Sequence, residues 1–281
     1  MAYEGYSLLQ VEVGGRECRV TIDNPPINLL DVPLMLELDR LGRELEADRD
    51  VGVLVVRSAN PEFFVAHADV GAILQLPREA LAEPPAELAF FHAMVDRFRT
   101  MPVATIAVVE GIARGGGCEM VSSFDIRVAA RGRAVFGQPE SLIGIIPGGS
   151  GTQRLPRLVG RARAAEIVLG GADVDADTAD RWGLVNRALP PDEVWPFVDA
   201  LAARIASLPA VVVAEAKASL AAAEPDPVPG LLGEWQRFTR CNADPEAAER
   251  MEAFLAAGGQ TADVERRPIT LADSVWTRPR G

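Results

Sequence analysis

The chain has 281 residues, enough for one large or two modest domains with a proper core. Apolar residues make up 48% and charged residues 24%, the balance of an ordinary water-soluble globular protein. The formal charge of −12 opposes nucleic acid and anionic membrane surfaces, so an anionic ligand needs cations or backbone N–H groups placed locally.

Residues 7–23 alternate as strands do, with Gly14-Gly15 as a hairpin turn between LLQVEV and CRVTI. Asp31 and Pro33 open a helix whose Leu34, Leu38, Leu41 and Leu45 recur at helical spacing. VGVLVV (51–56) and VATIAVV (103–109) are predicted as strands buried on both faces, separated by a helix over Ala86–Phe98 that follows Pro84-Pro85. Strand, helix, strand repetition implies parallel pairing through helical crossovers. After Gly111 the chain turns to glycine-rich loops joining short elements. Beyond Gly160 it is mostly helical, with helices expected at Ala162–Leu169, Ala176–Trp182, Glu193–Ala206, Val211–Ala222 and Pro245–Ala256, and EPDPVPG as a hinge between helices. The division expected is an α/β core over 1–190, a helical region over 191–262, and an extended, exposed tail over 263–281.

Cys18, Cys118 and Cys241 are odd in number and widely spaced, which supports neither a disulfide framework nor paired metal ligands. His67 and His92 belong to no metal-binding spacing, so no metal site is expected. The N-terminus has no basic region followed by an apolar run, and the apolar stretches fall short of the ~20 residues that span a bilayer. A cytoplasmic protein without membrane or nucleic-acid partners is expected.

Two glycine-containing segments each deliver a carboxylate just after a turn: Gly115-Gly116-Gly117-Cys118-Glu119 and Phe136-Gly137-Gln138-Pro139-Glu140. Glycines before an apolar helical pattern let backbone approach a ligand and aim free N–H groups at it, as an oxyanion hole requires. Two carboxylates beside that spot would form an acid–base pair. Blander explanations stay open on these residues alone. Gly115–Gly117 could serve helix–strand packing, Glu119 could be a solvated helix residue, and Glu140 could cap a turn. Gly148-Gly149-Ser150 lacks the glycine that a nucleophile elbow needs two residues after the serine, and the triple glycine is not a dinucleotide fingerprint. Nothing identifies a base for Cys118 as a nucleophile.

GIARGGGCEM and FGQPESLIGIIPGGSGTQRLPRLVG closely resemble the signature region of the enoyl-CoA hydratase/isomerase (crotonase) family, and PEFFVAHADV resembles its Phe-x-x-Gly-x-Asp segment. The likeness runs from about Leu8 to Gly183. It implies an α/β crotonase-type spiral of stacked strands and helices with a helical C-terminal region, assembled as a homotrimer or homohexamer. It also implies a hydro-lyase of acyl-CoA and fatty acid metabolism that adds water reversibly to a 2-enoyl-CoA thioester. No cofactor is implied beyond the CoA of the substrate. By the same resemblance Ala68 and Gly116 match the backbone donors to the thioester oxygen, Glu119 the residue that activates water, and Glu140 the one that exchanges the α-carbon proton. Ala66, Ala68 and Val70 match the positions that hold the CoA adenine end, the Gly148-Gly149 turn matches the lining of the acyl pocket, and Asp69, Gly115, Gly116 and Pro139 are further substrate-binding positions that the resemblance implies.

Three residues depart from the family pattern. His67 stands where glycine is usual and is expected to be a tolerated surface side chain. Gly71 replaces a lysine found near the CoA phosphates in many members, which leaves the arginines between Arg154 and Arg163, or C-terminal ones, as other cations. Those arginines are expected mainly to face solvent. Arg114 replaces a neutral residue and points either into the acyl pocket, to pair with a carboxylated acyl group, or outward into solvent. The alternatives to hydration are an isomerase, decarboxylase or dehalogenase of the same family, or an acyl-CoA-binding subunit without turnover.

Overall fold

The computed structural model describes residues 3–272. β1 (Leu9–Gly14) and β2 (Glu17–Ile22) pair antiparallel about a two-residue turn at Gly15-Arg16, where Gly15 takes a φ of 60° that side chains disfavour. Asp31 accepts from the Leu34 N–H and caps α1 (Val32–Ala47), with Pro33 in the first turn where a missing N–H costs nothing. The chain continues through β3 (Val53–Ser58), β4 (Phe63–Val65), α2 (Val70–Leu74) and α3 (Phe90–Thr100). The α3 helix starts four residues later than the spacing predicts, because residues 80–89 after the first bend form an irregular loop around Pro84-Pro85. Next come β5 (Ala104–Val109), β6 (Ile112–Arg114), α4 (Gly116–Ser122), β7 (Ile126–Ala130) and β8 (Val135–Gly137). A 3-10 turn over Pro139–Ile143 precedes α5 (Gly151–Val159), α6 (Arg161–Gly170), β9 (Val174–Asp175), α7 (Ala176–Trp182) and β10 (Arg187–Leu189). The rest is helical: α8 (Pro191–Ala206), α9 (Ala210–Ala222), α10 (Val228–Asn242), α11 (Pro245–Ala256) and α12 (Ala262–Glu265).

From β3 to β8 successive strands alternate between two sheets, and this makes the spiral. One sheet runs β1-β2-β3-β5-β7-β10 and the other β4-β6-β8-β9. From β2 to β10 the larger sheet is parallel, as the strand–helix alternation predicts. Its central strands are buried on both faces. Val53 and Val55 pack with Val194 and Val198 of α8, while Leu54 and Val56 enter the main core with Leu34 and Leu38 of α1. A period of two on a strand thus feeds two cores from one valine run.

The helices after Pro191 are not a separate body. α8 covers the larger sheet, and α10 and α11 bring Phe238, Met251 and Phe254 against Val70, Ile143 and Ile145. The described part of the tail is exposed at most positions, as expected, but its start belongs to α12 rather than running extended, and Val264, Glu265 and Ile269 are buried. The guanidinium of Arg114 draws that segment in by bonding the carbonyls of Glu265 and Arg267. The part of the tail over 273–281 lies outside the described residues.

Close approach of α4 to β4 leaves no room for a side chain at Gly117, where a Cβ would stand 2.3 Å from the Val65 carbonyl oxygen. Gly117→Ala is therefore expected to destabilise the fold by roughly 1–3 kcal/mol through backbone displacement. Urea unfolding measures this, and an unchanged midpoint would refute the packing argument.

Candidate active site

A cavity of about 340 Å³ opens where the N-termini of α2 and α4, the 3-10 turn and α10 converge. Ala68 and Gly116 meet on its wall: a Cβ at Gly116 would lie 3.4 Å from the Ala68 nitrogen. Leu30 forms a parallel bridge with Ala68, taking a carbonyl bond from the Asp69 N–H and donating to His67. That bridge turns the N–H of Ala68 away from Leu30. Gly116 begins α4, so its N–H has no acceptor in the preceding helical turn. Two backbone donors thus stand side by side at a helix start, where the helix dipole favours negative charge. Gly115 has a φ of 47°, and a Cβ there would meet Glu140 Oε1 at 2.9 Å, so glycine is required on both counts.

Glu119, one turn into α4, is buried rather than solvated. Its Oε1 accepts from the N–H groups of Gly149 and Gly151 at 2.7 and 2.8 Å. Glu140 reaches the same cavity from the 3-10 turn, with the Gln138 amide donating to both of its carboxylate oxygens at 3.0 Å. Burial, the first cause, raises Glu140 to about 8, and the charge of Glu234 adds to it. Burial also pushes Glu119 well above its ordinary value, with Glu140 and Glu234 adding to the rise, against the two N–H bonds that favour its ionised form. The pair therefore titrates together and holds a proton into the neutral range. Cys118, by contrast, is raised by burial to about 12, the opposite of an activated thiol.

Asp69, Val70, Gly115, Pro139 and Gly148 also line the cavity. Ala66 does not. It is fully buried beneath the oxyanion loop with Ile27, Phe63 and Ile112. His67 is buried too, not a surface side chain; its Nδ1 donates to the Ala68 carbonyl at 2.7 Å, and its Nε2 stands 3.2 Å from Glu265 Oε1. Glu265 sits below its ordinary carboxyl value: burial opposes this, but His67, the Gln260 N–H and Arg114 outweigh it. Gln260 completes a clamp on the loop, accepting from the Val70 N–H and donating to Asp69.

Both orientations expected for Arg114 are corrected. The side chain is 1% exposed and makes a two-pronged pair with Asp173, at 2.7 Å on each prong. Its charge is spent on the fold, so it neither reaches the acyl cavity nor faces solvent. Arg154 does not face solvent either; it is buried against Asp96.

The enoyl-CoA hydratase/isomerase family model matches residues 15–258. The chain belongs to this family. Among its relatives, the crotonyl-CoA hydratase of Syntrophomonas wolfei is 35% identical over 259 residues, covering 91% of this chain and 96% of the relative. The short-chain-enoyl-CoA hydratase of Clostridium acetobutylicum is 33% identical over 87% of this chain and 93% of its own length. A Streptomyces avermitilis crystal structure assigned as an enoyl-CoA hydratase superposes with a TM-score of 0.86 at 42% identity, covering 93% of this chain and 96% of that one. The alternating two-sheet spiral is thus the family's crotonase fold.

What sequence reasoning missed lies on α10 and α3. Trp235, Phe238, Phe90 and Phe91 form the apolar part of the cavity wall, and Glu234 lies just behind it. Leu231, Trp235, Phe238 and Asn242 recur at helical spacing after Pro229, a signal present in the sequence and overlooked beside the EPDPVPG hinge.

The raised Glu140 carboxyl has a consequence for stability. Between the ordinary value of 4.5 and about 8 the folded chain keeps a proton that the unfolded chain releases. The contribution of this group to stability is therefore full at low pH and is lost as pH rises through that window. Urea midpoints taken from about pH 5 to about pH 9 are expected to fall less steeply in Glu140→Gln than in wild type. Equal slopes would rule out Glu140 as the source.

Proposed function

We propose that this chain adds water reversibly to the double bond of 2-enoyl-CoA thioesters. The observation that carries the reading is one cavity wall bearing two adjacent backbone donors with a coupled carboxylate on either segment beside them. The N–H groups of Ala68 and Gly116 take the thioester oxygen and stabilise enolate charge as it develops. Both amide donors to Glu119 converge on Oε1, so the ionised Oε2 meets the water that attacks the β-carbon and takes the proton that water loses. Glu140, protonated at neutral pH by its raised value, delivers the proton to the α-carbon. Glutamate at both places favours hydration over the other reactions of the family, and the reaction needs no cofactor beyond the CoA of its substrate. The hydratase names of the relatives agree with it.

The cavity also bears on the acyl group. Its far wall is Phe90, Phe91, Trp235 and Phe238, and Arg114 is neutralised elsewhere. A neutral apolar acyl chain fits this wall; a carboxylated one finds no cation in it among the described residues. Ala68, Asp69 and Val70 remain the contacts for the CoA end, with Ala66 acting from beneath them. We place the reaction in the cytoplasm, with acyl-CoA thioesters as its partners and neither membrane nor nucleic acid involved. No described helix is long and apolar enough to cross a membrane by itself.

Assembly as a homotrimer or homohexamer is part of the proposal. Leu169 and Leu220 are 75% and 74% exposed, and Val211 and Val212 extend the apolar surface on α9. Light scattering on the purified chain is expected to give a mass of three or six subunits, and a monomer would refute this.

Glu119→Gln and Glu140→Gln are each expected to lower kcat by ~10²–10⁴ while acyl-CoA binding persists. Loss of conjugated-thioester absorbance on neutral and carboxylated enoyl-CoA substrates measures both the rate and the acyl preference. Near-wild-type turnover in either variant would remove that residue from the mechanism. Double-bond migration without hydration would overturn the hydratase reading.

A further inference from the structure

A third carboxylate, Glu234 of α10, is 1% exposed behind the cavity wall and takes no place in the chemistry above. Its Oε1 accepts from the Ser150 N–H at 2.7 Å and faces His92 Nε2 at 2.8 Å. Its Oε2 accepts from the Thr152 N–H at 2.8 Å and from the Thr152 hydroxyl. These donors alternate along the chain with the two that serve Glu119: Gly149 and Gly151 point to Glu119, Ser150 and Thr152 to Glu234. The first turn of α5 is therefore strung between two buried carboxylates on opposite sides.

The backbone there does not adopt this shape unaided. Ser150 has a φ of 106°, a region that side chains strongly disfavour and that persists only where the surroundings over-determine it. Glu234 grips the residue itself and the one two positions on. Of the elements around the cluster, α3 presents His92, α4 presents Glu119 and the 3-10 turn presents Glu140; α5 contributes amides and the Thr152 hydroxyl. His92 in turn is held edge-on to Trp235, so α3, α5 and α10 are locked through this one side chain.

We propose that Glu234 is a positioning residue for catalysis: it holds Ser150 in its strained conformation so that Gly149 and Gly151 aim both N–H groups at Glu119. This rests on the hydratase reading for its kinetic consequence but not for its structural one. The charge of Glu234 is among the causes that raise both catalytic carboxyls, so its removal lowers both.

The test uses the full chain with two variants, Glu234→Gln, which removes the charge and keeps the size, and Glu234→Asp, which keeps the charge and withdraws its reach. In Glu234→Gln, kcat is expected to fall by ~10-fold or more with KM within about twofold, since small misplacements of a catalytic group are costly. The pH profile of kcat/KM is expected to move to lower pH in the same variant. Glu234→Asp is expected to lose kcat while the profile stays in place. Titration of ¹³C-carboxyl-labelled glutamates by NMR reads the Glu119 and Glu140 midpoints without turnover, so it stands even if the chain hydrates no enoyl-CoA. Midpoints that fall in Glu234→Gln support the proposal. A variant that loses thermal stability alone, with kcat, pH profile and midpoints as in wild type, would overturn it. Wild-type kcat in Glu234→Asp would overturn the proposal even if Glu234→Gln did not fold.

Discussion

The structure turns on keeping carboxylates out of water without leaving them bare. Burying an ionised carboxylate is expensive unless it is hydrogen-bonded, and neutral donors can supply those bonds without bringing a compensating positive charge. Here the supply is backbone N–H at the start of a helix. Gly149 and Gly151 serve Glu119, and Ser150 and Thr152 serve Glu234. Neutral donors hold Glu119 in place but cancel only part of its burial, so the Glu119 and Glu140 carboxyls stay raised and a proton stays available at neutral pH. A buried arginine in their place would have fixed the geometry and pulled both values down.

The same division between charge for folding and charge for chemistry explains Arg114. It lies directly beside the triple glycine, yet its guanidinium is turned to the far side and consumed by Asp173 and two carbonyls of the C-terminal segment. That pair brings Glu265 under the oxyanion loop, where it meets His67 while Gln260 bonds Val70 and Asp69. A segment nearly 200 positions away in the chain thus holds the loop that carries Ala68. The oxyanion donor is a backbone group, so its precision depends on how firmly its peptide is held, and the clamp supplies that firmness.

Much of the fold was legible along the chain. The valine runs at 51–56 and 103–109, the Asp31 cap with its leucine spacing, and the hairpin at Gly15 follow from local rules, and each formed. The late start of α3 and the overlooked α10 have a common cause. α3 follows a proline-rich stretch and α10 begins inside one, at Val228 within the expected EPDPVPG hinge; there local signals mark a break but do not say how far it extends. Glu119 and Glu140 were legible through glycines placed before them. The burial of Glu119 was not, because a glutamate in a short helix is exposed more often than not, and only the packing of α5 and α10 decides otherwise.

By itself, then, the sequence determined most of the elements, the parallel pairing, the glycine-borne carboxylates and the family to which they point. These depend on residues close together in the chain, where sterics and hydrogen-bond periodicity act over a few positions. The tertiary structure alone decided where charge goes: Arg114 inward to Asp173, Glu265 against His67, and Glu234 behind the wall. Each of those outcomes joins residues far apart in sequence. The energy of a buried charge is set by its partners in space, and no local pattern encodes them.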